Sequence, residues 1–585
     1  MKKRRPVVLE PEAAKAALAG TGAFSRRSAV KAAGLAAAAV ALPLTGATAR
    51  QTPDEGSTLR LPFYPYGQAI QFDPHRMPNW GPFWTISQYL WSGLLGFDEQ
   101  GAVVLSLATS FEPNDTADVW TATIPDNLSF ATGERVTAQS FIDSWMRAVD
   151  PYQPGPMSTF MELVEGVPAL LSGEPVEPGF TAVDDQTIEI TLSGPFSSFP
   201  AYAATFGWSL VDVAAIDNAG DQLQAPGIGP WLVSDVFSGE SFTFTPNPAT
   251  PFEVASGINA ITWQVFDGPG AMEQALQAFE AGTLAIADVP DELVEQVTGS
   301  EALADLLVEI ENPSSVLALG MDFNQPPFDD LRYRRAVAAS IDRDQWVSTL
   351  GVPSFAPATS MVPPAVQATA GYTPAEGIAF DAQRAKDLLG EAGYDPEGDS
   401  PSIVYYQAGT DGEEAISRVA ALLAMIEENS GLVIEHDTSL SAEQIRALQT
   451  DNGGRQLDLV WWWSDSDTPS MLGQIGGSDS PAMAGLFNWS PDLQGVEDQD
   501  PGAAAEAFDK AIETANQATD QEARNTAFRD AEQLLLDNAV YVPIGNWIQR
   551  FVQQPWLTGT RQGAWSGSVP VAIDGNVSFT PPASE

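Results

Sequence analysis

The chain of 585 residues contains no cysteine, which excludes disulfides, thiolate metal sites and a lipid-modified N-terminal cysteine. It has only two histidines, His75 and His436. With no histidine cluster and no EF-hand spacing, no metal site is expected. Lysine is almost missing from the body of the chain: beyond residue 50 only Lys386 and Lys510 remain. Eight of the 27 basic residues but only two of the 77 acidic ones precede residue 50, so the remainder carries 19 against 75, a balance of −56. Neutralising a phosphate backbone takes basic patches, so nucleic acid is excluded as a partner. Acidity spread this evenly suits salty or acidic surroundings, and it attracts cationic ligands. No window approaches ~18 uninterrupted apolar residues, so no membrane span is expected.

The first 49 residues differ in kind. Arg26 and Arg27 precede a 13-residue, mildly apolar stretch, Ala32 to Leu44, and Ala47 and Ala49 offer an A-x-A cleavage site. This is the pattern of a twin-arginine export signal, read by the machinery that moves folded proteins. A permanent amphipathic anchor is the alternative. Export implies a mature protein at the periplasmic or extracellular face of the cytoplasmic membrane, not held there through a lipidated cysteine.

The length exceeds one ordinary core and implies several domains or one discontinuous architecture. A composition of 44% hydrophobic and 18% charged residues is that of a globular protein. In "VTAQSFIDSW", Thr137 is placed to cap a helix with Phe141 and Trp145 on one face. In "DDQTIEITL", Ile188, Ile190 and Leu192 alternate as in a strand. The later half is more α/β. Asp381 is an N-cap for a helix carrying Ala385, Leu388, Leu389 and Ala392, with Gly393 at its stop. "SIVYYQ" and "LVIEHD" read as strands around the helix "EEAISRVAALLAMIEENSG". Thr519 and Glu522 form a T-x-x-E capping pattern, and "AVYVPIGNWIQRFV" reads as one strand.

Catalytic motifs are wanting. Ser566 in "GAWSG" and Ser209 in "GWSLV" both miss the G-x-S-x-G spacing that exposes a nucleophile. "GIGPWL" at Gly227 lacks the third glycine of a dinucleotide loop and runs into Pro230 where a helix should open. Carboxylate pairs are too common among 75 acids to be informative. An enzyme is not expected, and no cofactor is called for.

The order of segments says more. "QFDPH", "YLWSGLLGFDEQGAVVLSLATSFE", "DNLSFATGERVTAQSFIDSWMRAVDP", "GIGPWLV", "DFNQPPFDDLRYRRAVAASIDRDQ" and "FDAQRAKDLLGEAGY" resemble, in series, the family 5 solute-binding proteins of ABC importers. The resemblance implies an α/β fold of the two-lobed, periplasmic-binding-protein-like type II, in its large form with an extra subdomain and a hinge. One lobe is expected from residues 57–90, 215–312 and 545–585, with 91–214 inserted as the extra subdomain. The second lobe is expected over 313–544, with hinge crossings near "LALGMDFN" and "YVPIGNW". It further implies a monomer that captures a peptide or other small solute and presents it to an ABC permease with its ATPase subunits. Within the matching blocks, Asp330 and Arg332 are expected to brace a helix bearing Val337 and Ile341.

The segment "LDLVWWWSDSDTPSM" resembles the family stretch in which a strand ends in "W..D...P" at the interlobe cleft. Alternation puts Leu457, Leu459, Trp461 and Trp463 on one face, Val460 and Trp462 on the other. In peptide-binding members the matching aspartate, here Asp465, holds the ligand α-ammonium, and the matching tryptophan, here Trp462, lines a side-chain pocket. Trp461 and Trp463 are expected mainly as core. Ser464, Trp463, Asn546 and Trp547, beside this strand end and the second crossing, complete the candidate set. The stretch "AGTDGEEA" has no basic residue where dipeptide-specific members carry an arginine for the ligand carboxylate. Longer peptides or an aromatic-stacked sugar remain open, and the shortage of histidine disfavours nickel.

Overall fold

The computed structural model describes residues 57–560 other than 79–80, 99–100, 217–224, 238, 311, 351–354, 399, 410–412, 451–454, 465–467, 481 and 497–498, together with 578–579. The expected signal with Arg26 and Arg27 lies outside the described residues, as does Asp465.

The chain opens on β1 (Ser57–Phe63) and then forms an insert. There β2 (Ser110–Pro113), β3 (Val119–Thr123), β4 (Phe180–Ala182) and β5 (Thr187–Thr191) pair antiparallel in the order β2-β3-β5-β4. Ile188 and Ile190 point inward with Trp120, under helix α1 (Ala138–Ala148), whose Phe141 and Trp145 are fully buried. The Ser140 hydroxyl accepts from the Thr137 N–H at 3.1 Å and fixes the start of α1. After the insert, β6 (Trp231–Phe237), β7 (Ser241–Pro246) and β8 (Ile258–Val265) return to β1 in the order β1-β8-β7-β6, with β1 parallel to β8. Phe63, Phe72, Phe242 and Trp263 fill this layer with edge and stacked ring contacts. Then come β9 (Ile286–Asp288), helix α2 (Asp291–Thr298) and β10 (Leu307–Glu309).

The second body is built on β11 (Ser315–Met321), buried along its whole length. Helix α3 (Leu331–Ser340) follows, its N-terminus capped by Asp330, which accepts from the Arg332 N–H at 2.8 Å. Val337 and Ile341 are fully buried, as the pattern predicts. Next come β12 (Phe355–Pro357) and helix α4 (Ala382–Glu391), which Asp381 caps; the chain leaves α4 through Gly393 at φ 76°. β13 (Ile403–Tyr406), helix α5 (Glu413–Ser430) and β14 (Ile434–Asp437) form a parallel β-α-β unit. β15 (Leu457–Trp463), helices α6 (Pro501–Gln517) and α7 (Gln521–Asp537), and β16 (Tyr541–Trp547) complete it. The sheet order is β12-β16-β11-β15. Leu317, Leu319 and Met321 face one core, Val316 and Ala318 the other, so both faces are covered. Helix α7 is capped by Asp520, which accepts from the Ala523 N–H at 2.9 Å, and not by Thr519. A carboxylate is the stronger acceptor at a positive helix end.

Among the described residues the chain passes between the two bodies twice, between β10 and β11 and between Trp547 and Arg550. The segment expected as one strand is therefore two. β16 pairs with β11 and β12, whereas β17 (Arg550–Gln553) pairs with β9 and β10. Both strands are buried in continuous runs, so the apolar sequence alone does not reveal the break. The crossings are tied together by the Ile310 N–H, which donates to the Gln549 carbonyl at 3.0 Å.

The loop after β1 is anchored to the insert by a buried polar knot. Arg147 grips the Asp73 carboxylate and donates to His75 Nδ1 at 3.0 Å, while His75 Nε2 lies 3.2 Å from the Ser209 carbonyl. A carbonyl can only accept, so Nε2 carries the proton and the ring is neutral. Burial, reinforced by Arg147 and opposed by Asp73, holds the imidazole down at about 4. Among the described residues no helix is long and apolar enough to cross a membrane.

Candidate ligand cleft

The hinge end of the second sheet brings the C-termini of β15 and β16 beside the N-terminus of β11. Ser315 pairs with Trp463, Val316 with Trp462 and Leu317 with Trp461. On one face Leu457 is buried beneath the helices, but the covering ends before the strand does. Trp461 and Trp463, expected mainly as core, are 38% and 41% exposed. Their rings stack at 5.8 Å and 11°, and Trp547 meets both edge-on at 5.8 and 5.7 Å. Phe355 continues the surface, 5.7 Å from Trp461. Gly545 makes room for it, since a Cβ there would stand 3.1 Å from the Phe355 side chain. Four aromatic rings thus form one partly uncovered patch beside the crossings.

This patch abuts the first body. The Arg418 guanidinium on α5 lies 5.2 Å from the Phe355 ring centroid, and Arg418 is 3.8 Å from Asp291 at the start of α2. Asp291 also faces Arg550 at 3.7 Å, and Arg550 Nε donates to Glu309 at 2.6 Å. The Arg550 side chain is 1% exposed. An ion pair therefore joins the two bodies next to the aromatic patch, with a buried arginine beneath it.

The remaining candidates separate. Trp462 lies on the opposite face, edge-on to Tyr541 at 6.2 Å, with its indole N–H buried and unpartnered. Ser464 is buried at the strand end, its N–H donating to the Ser314 carbonyl at 3.0 Å. Asn546 is buried, and its amide donates to the Ser315 carbonyl at 2.8 Å, clamping β16 to β11. The structure brings together Trp463 and Trp547 with Trp461. Sequence reasoning missed Arg418, Asp291 and the exposure of Trp461. The available signal was an arginine inside an otherwise apolar and acidic helix, since Arg418 is the one basic residue of α5. Among the described residues no three metal-ligating side chains stand together.

The profile of the bacterial extracellular solute-binding proteins, family 5 (middle), matches residues 102–483. The periplasmic murein peptide-binding protein MppA of Escherichia coli is 26% identical over 490 residues, spanning 80% of this chain and 84% of that protein. The periplasmic oligopeptide-binding protein OppA of Escherichia coli is 26% identical over 510 residues, spanning 84% and 88%. Among solved structures, the unliganded open form of MppA superimposes with a TM-score of 0.72 at 22% identity, covering 90% of this chain and 98% of that one. The fold is the two-lobed α/β architecture of periplasmic binding proteins. A profile matched over more than half the chain, in the expected order and on that fold, makes this protein a member of the family 5 bacterial extracellular solute-binding proteins.

Proposed function

We propose that the protein captures oligopeptides between its lobes and hands them to an ABC permease. The observation that carries this is the uncovered Trp461–Trp463–Trp547 patch beside the interlobe ion pair Arg418–Asp291. Relatives named as murein peptide- and oligopeptide-binding proteins support the ligand class. Residues 57–90, 215–312 and 548–585 belong to one lobe, 91–214 to its extra subdomain and 313–547 to the other lobe; the expected boundary at 545 moves because Gly545, Asn546 and Trp547 pair with β11 and β12. The two crossings act as hinge. Closure is favoured only by ligand contacts that the open form lacks, and no bond is made or broken. Asp465 takes the peptide α-ammonium, the indole patch takes a side chain, and Asn546 and Ser464 hold the strand ends that present them. The protein acts as a monomer outside the cytoplasmic membrane, exported through Arg26 and Arg27.

Calorimetric titration of a free-amine and an N-acetylated tripeptide tests the arrangement. Acetylation should weaken wild-type binding at least ~10-fold, since hydrogen bonds to charged groups contribute about 1.5–3 kcal/mol. Asp465→Asn should show almost no such difference. Equal wild-type binding of both peptides removes the ammonium anchor. Tight binding of an uncharged oligosaccharide in place of peptides moves the function to sugar uptake, for which stacked indoles also serve.

A further inference from the structure

The first lobe carries a buried acid that no structural need explains. Asp288 ends β9 and pairs with Phe551, directly after the second crossing. It is 8% exposed, and its Oδ2 has no hydrogen-bond partner. Tyr64, immediately after β1, is 2% exposed, and its hydroxyl is likewise unpartnered. The Tyr64 hydroxyl faces the Asp288 carboxylate closely enough to act on it as a donor, although the pair misses ideal hydrogen-bond geometry. Tyr66 stands with its ring 6.3 Å from that of Tyr64 and is 48% exposed, and its hydroxyl also feels the Asp288 charge. The group is therefore buried at its base and open at its rim.

Its surroundings point toward the other lobe. Three residues beyond Asp288, Asp291 reaches Arg418, whose guanidinium lies over Phe355 of the aromatic patch. The tyrosine rim is held by a turn in which the Gln68 N–H donates to the Pro65 carbonyl at 2.9 Å. Tyr66 and Gly67 within it sit at φ 50° and 74°. A tyrosine is rare in the left-handed region, where asparagine or glycine is the ordinary choice. The turn keeps the half-exposed Tyr66 ring beside Tyr64 and within electrostatic reach of Asp288.

We infer that Asp288, Tyr64 and Tyr66 form the first-lobe half of a subsite that receives a cationic peptide side chain, an ammonium or guanidinium, with the indole patch closing over its apolar stem. The inference rests on the peptide-capture proposal above. At the base, Asp288 Oδ2 and the Tyr64 hydroxyl oxygen can both accept from a group that only donates, and indole faces attract cations. Burial pushes the Asp288 carboxyl up, well above the usual carboxylate pKa range. An incoming cation supplies the positive partner that the site lacks.

The test uses the full-length mature protein and three tri-alanine peptides carrying lysine at the first, second or third position. Each is compared with its norleucine counterpart, which keeps the stem and loses the charge. At one position lysine should bind at least ~10-fold more tightly than norleucine. The preference should persist at about 0.5 M salt, because a buried pair is little screened whereas attraction to the acidic surface is lost. Asp288→Asn should reduce the preference for lysine over norleucine to less than about twofold. Norleucine bound as well as lysine at every position, or a preference that vanishes with salt, overturns the subsite while peptide capture stands. A preference undiminished in Asp288→Asn overturns it too. Failure of all six peptides to bind would instead refute peptide capture. The wild-type comparison needs no variant, so it decides the matter even if Asp288→Asn folds poorly.

Discussion

Trp462 and Trp463 are neighbours in the chain and should fail in opposite ways. Trp463 is 41% exposed on the aromatic patch. An indole side chain presents at most about 250 Å², so roughly 100 Å² is available for a ligand to cover. At about 25 cal/mol per Å² the ceiling is about 2.5 kcal/mol, and partial coverage lowers it toward about 1 kcal/mol. Trp463→Ala should therefore weaken peptide binding by about 5- to 70-fold. The fold loses only the stacking with Trp461 and the edge contact with Trp547, about 1 kcal/mol. Trp462 packs against Tyr541 in the second core of its lobe. Its truncation leaves a cavity there, and Trp462→Ala should lower stability by about 3 kcal/mol. Calorimetric titration and urea unfolding, run on both variants, separate the two losses. If Trp463→Ala binds like wild type while Trp462→Ala loses binding at full stability, the aromatic patch is not the ligand surface and the opposite face is.

Other residues make equally definite claims. Glu532 is fully buried and accepts from the Ser360 and Tyr372 hydroxyls at 2.6 and 2.8 Å and from the Met361 and Ala375 N–H groups at 2.9 and 2.8 Å. Glu532→Gln turns an amide NH₂ toward two of these donors and should cost about 2–5 kcal/mol in urea unfolding; a loss below about 1 kcal/mol would refute the accounting. His75 is held at about 4 by burial, below the usual 6.5. The unfolded chain then takes up a proton that the folded one refuses, so this stabilisation is complete above pH 6.5 and is lost as pH falls toward about 4. The wild type should lose about 3 kcal/mol across that interval beyond what His75→Gln loses, and parallel pH–stability curves would exclude the assignment.

Local rules carried the sequence reading where neighbours in the chain decide the outcome. Asp381 and Asp330 cap the helices expected of them, Gly393 takes the positive φ of a helix stop, and Ile188 and Ile190 face inward. Alternation sorted Trp461 and Trp463 onto one face and Trp462 onto the other, as the ring contacts bear out. It did not say which face is covered at the strand end, because that depends on where helices distant in sequence stop. The division of "AVYVPIGNWIQRFV" into β16 and β17 was hidden for a similar reason, since both halves are buried runs and the change of partner strands is set by segments distant in sequence. Arg418 and Asp291 are far apart in sequence, and nothing in the sequence separates Asp288, buried beside Tyr64, from the other 74 carboxylates. In so acidic a chain burial sets a few carboxylates apart from the rest, and burial is not legible in the sequence.

The central claim, that this protein captures peptides between its lobes, is tested most directly by native mass spectrometry of the exported protein purified without denaturation. The account predicts added masses that, on release and fragmentation, resolve into peptides enriched in lysine or arginine. Bound material that fragments as sugar, or a protein that stays bare after incubation with a mixed peptide digest, would contradict it.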